Sequence, residues 1–430
     1  MRSKRHVGVF VAASSVILGS LIINTPLLAA SSEKVLYSFC SAPGCIDGSM
    51  PNELISDQAG NLYGTVPGAG VYGGGAVYEL IPKNGKWTKK VLHTFIPNGK
   101  DGLDPQGGLV FDKAGNLYGT TAGGGAHDNC NRSSCGTVFE LSPNNGKWTE
   151  TVLHSFNFDC NGYNPYGTLI IDKAGNLYGT TNWSCATGSG IVFELIPNNG
   201  KWTEKVVYSF PSNPFPEPNV ILDKAGNLYG TTIGGGTYGN GSVFELVRGN
   251  GKWTEKVLYS FDDIITNHGR LVFGQTGDLY GTSFEGGYQS CLNGCGYVFK
   301  LTPNKNGTWT EEALHYFDFN STDGYNPIAG MIIDQTGNLY GTTSGGGTYS
   351  VCTKLAGCGT VFELAPGKNG TYTEKILHSF QENNKDGAIP YTGLTFGEAG
   401  NLFGSTSAGG TSTSCVFPVS GCGTVFEVEP

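Results

Sequence analysis

Charged side chains crowd one stretch of this chain: Asp262, Asp263, His268 and Arg270, with Glu285 close behind. Two carboxylates beside an imidazole are the groups that acid–base chemistry requires. The plainer reading of the same residues is a run of solvated loop charges. Arg270 opens a strand where equivalent stretches of the chain often carry Gly. Four further histidines, His93, His154, His315 and His378, hold a position taken elsewhere by Tyr37, Tyr208 and Tyr259. A histidine that exchanges with tyrosine is expected to be scaffold, neither metal ligand nor general base. No metal site is expected, and no cofactor. The Asp-Gly pairs at Asp47, Asp101, Asp323 and Asp386 are read as turns, calcium being a weaker option because one carboxylate per unit supplies too few oxygens.

Those equivalences rest on a repeat. The hexapeptide Gly-Asn-Leu-Tyr-Gly-Thr, or a close variant, begins at Gly60, Gly115, Gly175, Gly226, Gly277, Gly337 and Gly400, at spacings of 51 to 63 residues. A period of this size signals a repeat architecture. Residues present in every copy are expected to be scaffold, so function is sought where the copies differ. The repeated Tyr63, Tyr118, Tyr178, Tyr229, Tyr280 and Tyr340 are read as core with a satisfied hydroxyl.

Each unit reads as four short strands, a to d. In the second copy these are Gly108–Asp112, Asn116–Thr121, Thr137–Leu141 and Trp148–Phe156. All are β-branched or aromatic, and Gly, Pro and Asn bound them. The last copy has strands a, b and c and lacks d, while Lys34–Phe39 is a d strand with no unit before it. The fold expected is therefore all-β: a seven-bladed propeller of four-stranded antiparallel blades, closed by the N-terminal strand completing the last blade. Residues 1–30 read as a signal peptide and 31–430 as one propeller domain.

The tandem GNLYGTT, GTVFEL and KWTEKVLHSF motifs resemble those of the bacterial exported choice-of-anchor proteins with GloVer repeats, and the resemblance spans the mature chain. It implies export and a propeller-like repeat, and it supplies no reaction mechanism.

The b–c and d–a loops lie on one face of such a propeller. From the Thr or Ser of the hexapeptide to the Val of strand c the offsets are 12, 18, 12, 12, 16, 19 and 20 residues. The long loops of blades 2, 5, 6 and 7 each hold a cysteine pair: Cys130–Cys135, Cys291–Cys295, Cys352–Cys358 and Cys415–Cys422. Cys40–Cys45 and Cys160–Cys185 complete an even set of 12, which in an exported chain reads as disulfides. Twelve residues after the first Gly of a copy stand Tyr72, His127, Tyr238 and Tyr349, with Tyr288 one residue early. With Trp183, outside the repeat position and beside Cys185, and Arg270, they are the candidate ligand contacts.

The mature chain carries 23 basic against 35 acidic residues, a balance of −12. This argues against nucleic acid or an anionic membrane as partner. Arg2, Lys4 and Arg5 precede an apolar run from Val7 to Ile23, the pattern of a secretory signal. The expected protein is secreted or displayed at the cell surface, attached to a membrane only if that signal stays uncleaved. It is expected to be a monomer that binds an extracellular glycan or protein on the loop face. Two other readings stand beside it. One is a propeller enzyme of lyase, lactonase or glycosidase type using Asp262, Asp263, His268 and Glu285; the other is a structural adhesion component.

Overall fold

The computed structural model describes residues 33–127, 135–158, 161–184, 186–211, 214–262, 269–287, 290–291, 293–319, 322–348, 352, 357–381, 383, 385–415 and 421–430. The predicted signal lies outside these residues.

Alternation in strands c and d sets the blade. In blade 2, strand a is Val110–Phe111, b is Leu117–Thr121, c is Thr137–Asn144 and d is Lys147–Ser155. They pair antiparallel in the order d-c-b-a, with Leu117 opposite Leu141 and Gly119 opposite Phe139. The c–d pair carries a β-bulge between Val138 and Phe139, and blades 1, 3, 4, 5 and 6 repeat it. Such a bulge adds local twist and re-aims the side chains that follow it. Among the described residues there is no α-helix, only two three-residue 3₁₀ turns.

Seven such sheets are present, and the seventh is completed by the N-terminal strand. Glu33–Ser38 pairs with Thr424–Val428, Val35 lying opposite Phe426. The molecule is a seven-bladed β-propeller, as the missing d strand of the last copy predicts. Closure gives the seventh blade the outer strand d that the other six carry.

The junctions between blades are nearly identical. The Phe that ends strand d of one blade meets an aromatic ring of strand c in the next: Phe39–Tyr78, Phe95–Phe139, Phe156–Phe193, Phe210–Phe244, Phe261–Phe299, Phe317–Phe362 and Phe380–Phe426. Centroids lie 5.1–5.4 Å apart, all edge-to-face. Each buried ring contributes about 1.5–3 kcal/mol, and each edge-to-face pair about 0.5–1.5 kcal/mol more. The second Gly of the hexapeptide makes room for these rings: a Cβ on Gly119 would stand 2.6 Å from the Phe139 ring. The motif tyrosines are satisfied as expected. Tyr178 donates to Glu194 at 2.7 Å and Tyr229 to Glu245 at 2.7 Å. Asp112 caps the a–b turn by accepting from the backbone of Ala114 and Asn116, both at 2.8 Å.

The d–a and b–c loops are fastened to each other on one face. Short ladders join Gly102–Leu103 to Gly123–Gly124, Gly324–Tyr325 to Gly345–Gly346, and Gly387–Ala388 to Ala408–Gly409. Disulfides Cys40–Cys45, Cys291–Cys295, Cys352–Cys358 and Cys415–Cys422 form as the spacing predicts. Cys135 is also disulfide-bonded; its expected partner Cys130, and both Cys160 and Cys185, lie outside the described residues. At the closing seam the Sγ atoms of Cys40 and Cys415 approach to 4.0 Å.

Candidate functional site

Each blade delivers two or three residues to the ring axis, just ahead of strand a or, in blade 4, within its strand Pro216–Leu222. These segments surround a cavity of about 310 Å³ to which all seven blades contribute. The side chains that carry its chemistry are Glu53, Tyr166, Thr168, Glu217, Asn219 and Arg270. None belongs to the repeated motifs. The small residues between them, such as Gly107 and Gly167, let neighbouring backbones close: a Cβ on Gly167 would fall 1.6 Å from the carbonyl oxygen of Pro218.

Glu53 of blade 1 reaches furthest. Its Oε2 accepts from the Thr168 hydroxyl of blade 3 at 3.0 Å, and its Oε1 lies 4.0 Å from Arg270 Nη1 of blade 5. Thr168 also accepts from the backbone N–H of Gly108 at 2.9 Å and donates its own N–H to Asn219 Oδ1 at 3.0 Å. The Glu53 and Arg270 side chains are 27% and 34% exposed, so both present charge to the cavity. Glu217 is buried. Burial pushes the Tyr166 hydroxyl above the ordinary phenol range, and the Glu217 carboxylate adds to the shift. Burial alone raises Tyr391, which also lines the cavity. Glu53 and Arg270 border a second axial space of about 390 Å³ as well, otherwise lined by apolar groups such as Leu271, Met331 and Leu394. The pair thus separates a polar chamber on the loop side from an apolar one along the inner strands.

Of the described residues singled out from sequence, Arg270 alone lines this cavity. Asp262 is exposed on blade 5, its backbone oxygen accepting from Asn240 at 2.9 Å. Glu285 stays in its own loop, accepting from Asn293 at 3.4 Å. Asp263 and His268 lie outside the described residues, as do Tyr288 and Tyr349. Tyr72 is 68% and Tyr238 62% exposed; His127 is exposed too. Trp183, 41% exposed, packs its ring edge-to-face on Phe215 at 5.3 Å, and its backbone bridges to Tyr163, so it helps to hold its loop to its neighbours. Glu53, Thr168, Glu217 and Asn219 went unnoticed in the sequence. The usable signal was that each replaces a small or different residue at the approach to, or the start of, strand a.

A second set of polar clusters sits between blades. The strand-d histidines meet the Asp of the following turn and a Glu from strand d of the next blade: His93–Asp101–Glu150, His315–Asp323–Glu374 and His378–Asp386–Glu33. His93 Nε2 lies 3.2 Å and His378 Nε2 3.1 Å from their Asp partners. His315 Nε2 lies 3.6 Å from Asp323 and 3.5 Å from Glu374. Burial, reinforced by Asp101, raises Glu150 to about 7 against partial relief from His93. Burial and the charge of Asp386 raise Glu33 to about 8. Burial lowers His315, but hydrogen bonding to Asp323 and the charges of Glu374 and Asp323 outweigh it and leave it raised.

The ring of seven blades with an asymmetric axial cavity defines a β-propeller whose shared scaffold carries a private site. A family model described as the Gloeobacter/Verrucomicrobia repeat matches residues 23–149, 50–268 and 215–430. The chain belongs to that family. No curated protein matches it. Among solved structures it is similar to the extracellular domain of a protein assigned as a one-component system from B. thetaiotaomicron, at 12% identity and a TM-score of 0.53. That match covers 91% of this chain and 39% of the other, so the chain spans about two fifths of that protein's length. It is also similar to a Lactobacillus plantarum protein, at 12% identity and TM-score 0.49, covering 87% and 89% of the two chains. A further match is a PQQ-bound aldose sugar dehydrogenase from Streptomyces coelicolor, at 10% identity and TM-score 0.44, covering 93% and 98%. At these identities the likeness concerns fold.

Proposed function

We propose that the protein is a secreted, non-catalytic binding propeller that holds a small polar ligand of the sugar class at the loop-side mouth of the axial channel. The observation that carries this reading is the Glu53–Arg270 pair. It is contributed by distant blades, spans the axis, and keeps both charges open to a cavity of about 310 Å³. Carboxylate, guanidinium, Thr168, Asn219 and two tyrosines converge there. Together they supply donors and acceptors for hydroxyl groups and rings against which a pyranose can lie. Disulfide-bonded loops on the same face fit an oxidising compartment and fix the shape of the entrance.

A glycan array probed with the purified protein and with Arg270→Ala tests it. Binding to a restricted set of glycans, reduced at least tenfold by Arg270→Ala, is expected. Unchanged binding by that variant would move the site off the axis, and Trp183→Ala then tests the loop rim. An array with no signal would sink the sugar class.

A second reading has one observation in its favour: two carboxylates, Glu53 and Glu217, share the cavity. If they act as an acid–base pair, glycans that bind are cleaved on prolonged incubation, and Glu217→Gln stops cleavage while binding persists.

A further inference from the structure

We propose that the three His–Asp–Glu junctions are binding sites for a divalent transition metal, with zinc the ion that fits their donors. The same three side chains, taken from two successive blades, converge at three separate places, their donor atoms within 4.8 Å of one another. One imidazole nitrogen and two carboxylate oxygens form a ligand set that zinc accepts, whereas calcium prefers six to eight oxygens. The nitrogen-to-oxygen separations of 3.1–3.6 Å bracket the edge of a tetrahedron with zinc-type bonds, about 3.3 Å.

Unmet polar atoms point the same way. Asp101 and Asp386 are 7% and 5% exposed. Oε1 of Glu150 and Oε1 of Glu33 are buried beside them without a hydrogen-bond partner, as is Oε1 of Glu374 in the third cluster. A buried carboxylate oxygen left this way is costly unless a cation or a proton meets it. The imidazole side chains remain 15–21% exposed, which gives an ion a way in.

The other junctions act as internal controls. Between blades 7 and 1 the trio is Tyr37, Asp47 and Lys89. Tyr37 donates to Asp47 at 2.9 Å, and the Lys89 ammonium, standing where the other junction carries Glu150, donates to the Asp47 backbone oxygen. There the chain supplies its own cation. Between blades 3 and 4, Tyr208 donates to Glu255 at 2.7 Å, so a single carboxylate is met by a hydroxyl. Where histidine joins Asp and Glu, the trio offers one imidazole nitrogen and two carboxyl groups with no cation of the chain's own among them. Between blades 2 and 3 the trio reads His154, Asn161 and Glu204, one carboxylate short, and no site is assigned there.

The test uses the untagged chain, stripped with EDTA, dialysed, incubated with zinc sulfate and freed of excess metal by gel filtration. Bound zinc is then counted by plasma mass spectrometry. Three equivalents per chain are expected, falling to two in each of Glu150→Gln, Asp323→Asn and Glu33→Gln, and unchanged in His154→Ala. These isosteric changes are chosen to spare the fold, which circular dichroism checks in each variant. Fewer than three equivalents in the parent chain overturns the proposal. So does a count of three that the isosteric variants fail to lower, or one that His154→Ala lowers. Unfolding temperatures indifferent to zinc would also overturn it, leaving these junctions as proton-sharing pairs.

Discussion

Two segments of the repeat, a few residues apart in every copy, have opposite characters. Strand b keeps its hexapeptide, or a close variant, through seven blades: Leu is core, Gly admits an aromatic ring, and Tyr63 and Tyr178 donate to the Asp of the turn. The pair of residues leading into the apolar part of strand a differs in every copy: Asn52-Glu53, Gly107-Gly108, Gly167-Thr168, Pro218-Asn219, Gly269-Arg270, Ala329-Gly330 and Thr392-Gly393. The first packs against like neighbours, so any change in one blade must fit the next. The second faces the axis, where one ligand meets all seven blades at once. A site there can be assembled by altering one residue per blade while the frame stays intact.

The contrast breaks first at the rings. Phe139→Ala removes a fully buried side chain and its contact with Phe95. It is expected to cost about 3–5 kcal/mol in urea unfolding; a loss below about 1 kcal/mol would mean the ring of aromatics is not what holds the blades. Next comes Lys89→Glu, which sets a second carboxylate beside Asp47 where the ammonium had lain over the Phe39 and Tyr78 rings at 4.7 and 5.2 Å. A loss of about 2–4 kcal/mol is expected. Adding Tyr37→His rebuilds a His–Asp–Glu trio and should recover at least half of it in zinc-containing buffer, measured by the same unfolding midpoint.

A smaller effect depends on pH. Burial, with Asp262 and Glu312 adding, raises Glu311 from its ordinary 4.5 to about 7. The folded protein therefore holds this proton more tightly than the unfolded chain. The resulting stability is fully present below pH 4.5 and lost as pH rises through 7. Glu311→Gln should match the parent below pH 4.5 and exceed it above pH 7 by about 1 kcal/mol once solvent screening is allowed for. Parallel pH profiles for the two proteins would show that this carboxyl is not held up. Least of all should Arg270→Ala disturb the fold: its unfolding midpoint is expected to stay within about 0.5 kcal/mol of the parent, while ligand binding fails. A large loss of stability would instead make Arg270 part of the scaffold.

The frame was readable in the sequence because its determinants are local and recur. The orphan strand at Lys34–Phe39 and the unit lacking strand d already implied Glu33–Ser38 against Thr424–Val428. The axial site was hidden for the opposite reason. Thr168 and Glu53, bonded at 3.0 Å, are separated by 115 residues and two blades, and ahead of strand a each looks like loop filler. Arg270 was noticed only because it replaced Gly. The histidines were set aside because tyrosine replaces them, a sound argument about one column of the repeat. It missed that His93 is completed by Glu150 from the next blade. Asp262, Asp263, His268 and Glu285, neighbours in sequence, drew attention through proximity along the chain, yet Asp262 and Glu285 do not line the axis.

The strand that closes the ring has a consequence for how the protein is made. Glu33–Ser38 emerges early in synthesis, yet its partner strand is Thr424–Val428. Until that late segment arrives, the early strand has no sheet to join, and its own unpaired backbone is open to any passing chain. Joining strands so far apart in sequence is also the slow kind of contact to form. Folding should therefore run blade by blade and finish with a single sealing event. The period before sealing, not the finished molecule, is when the chain is most open to aggregation and to proteases.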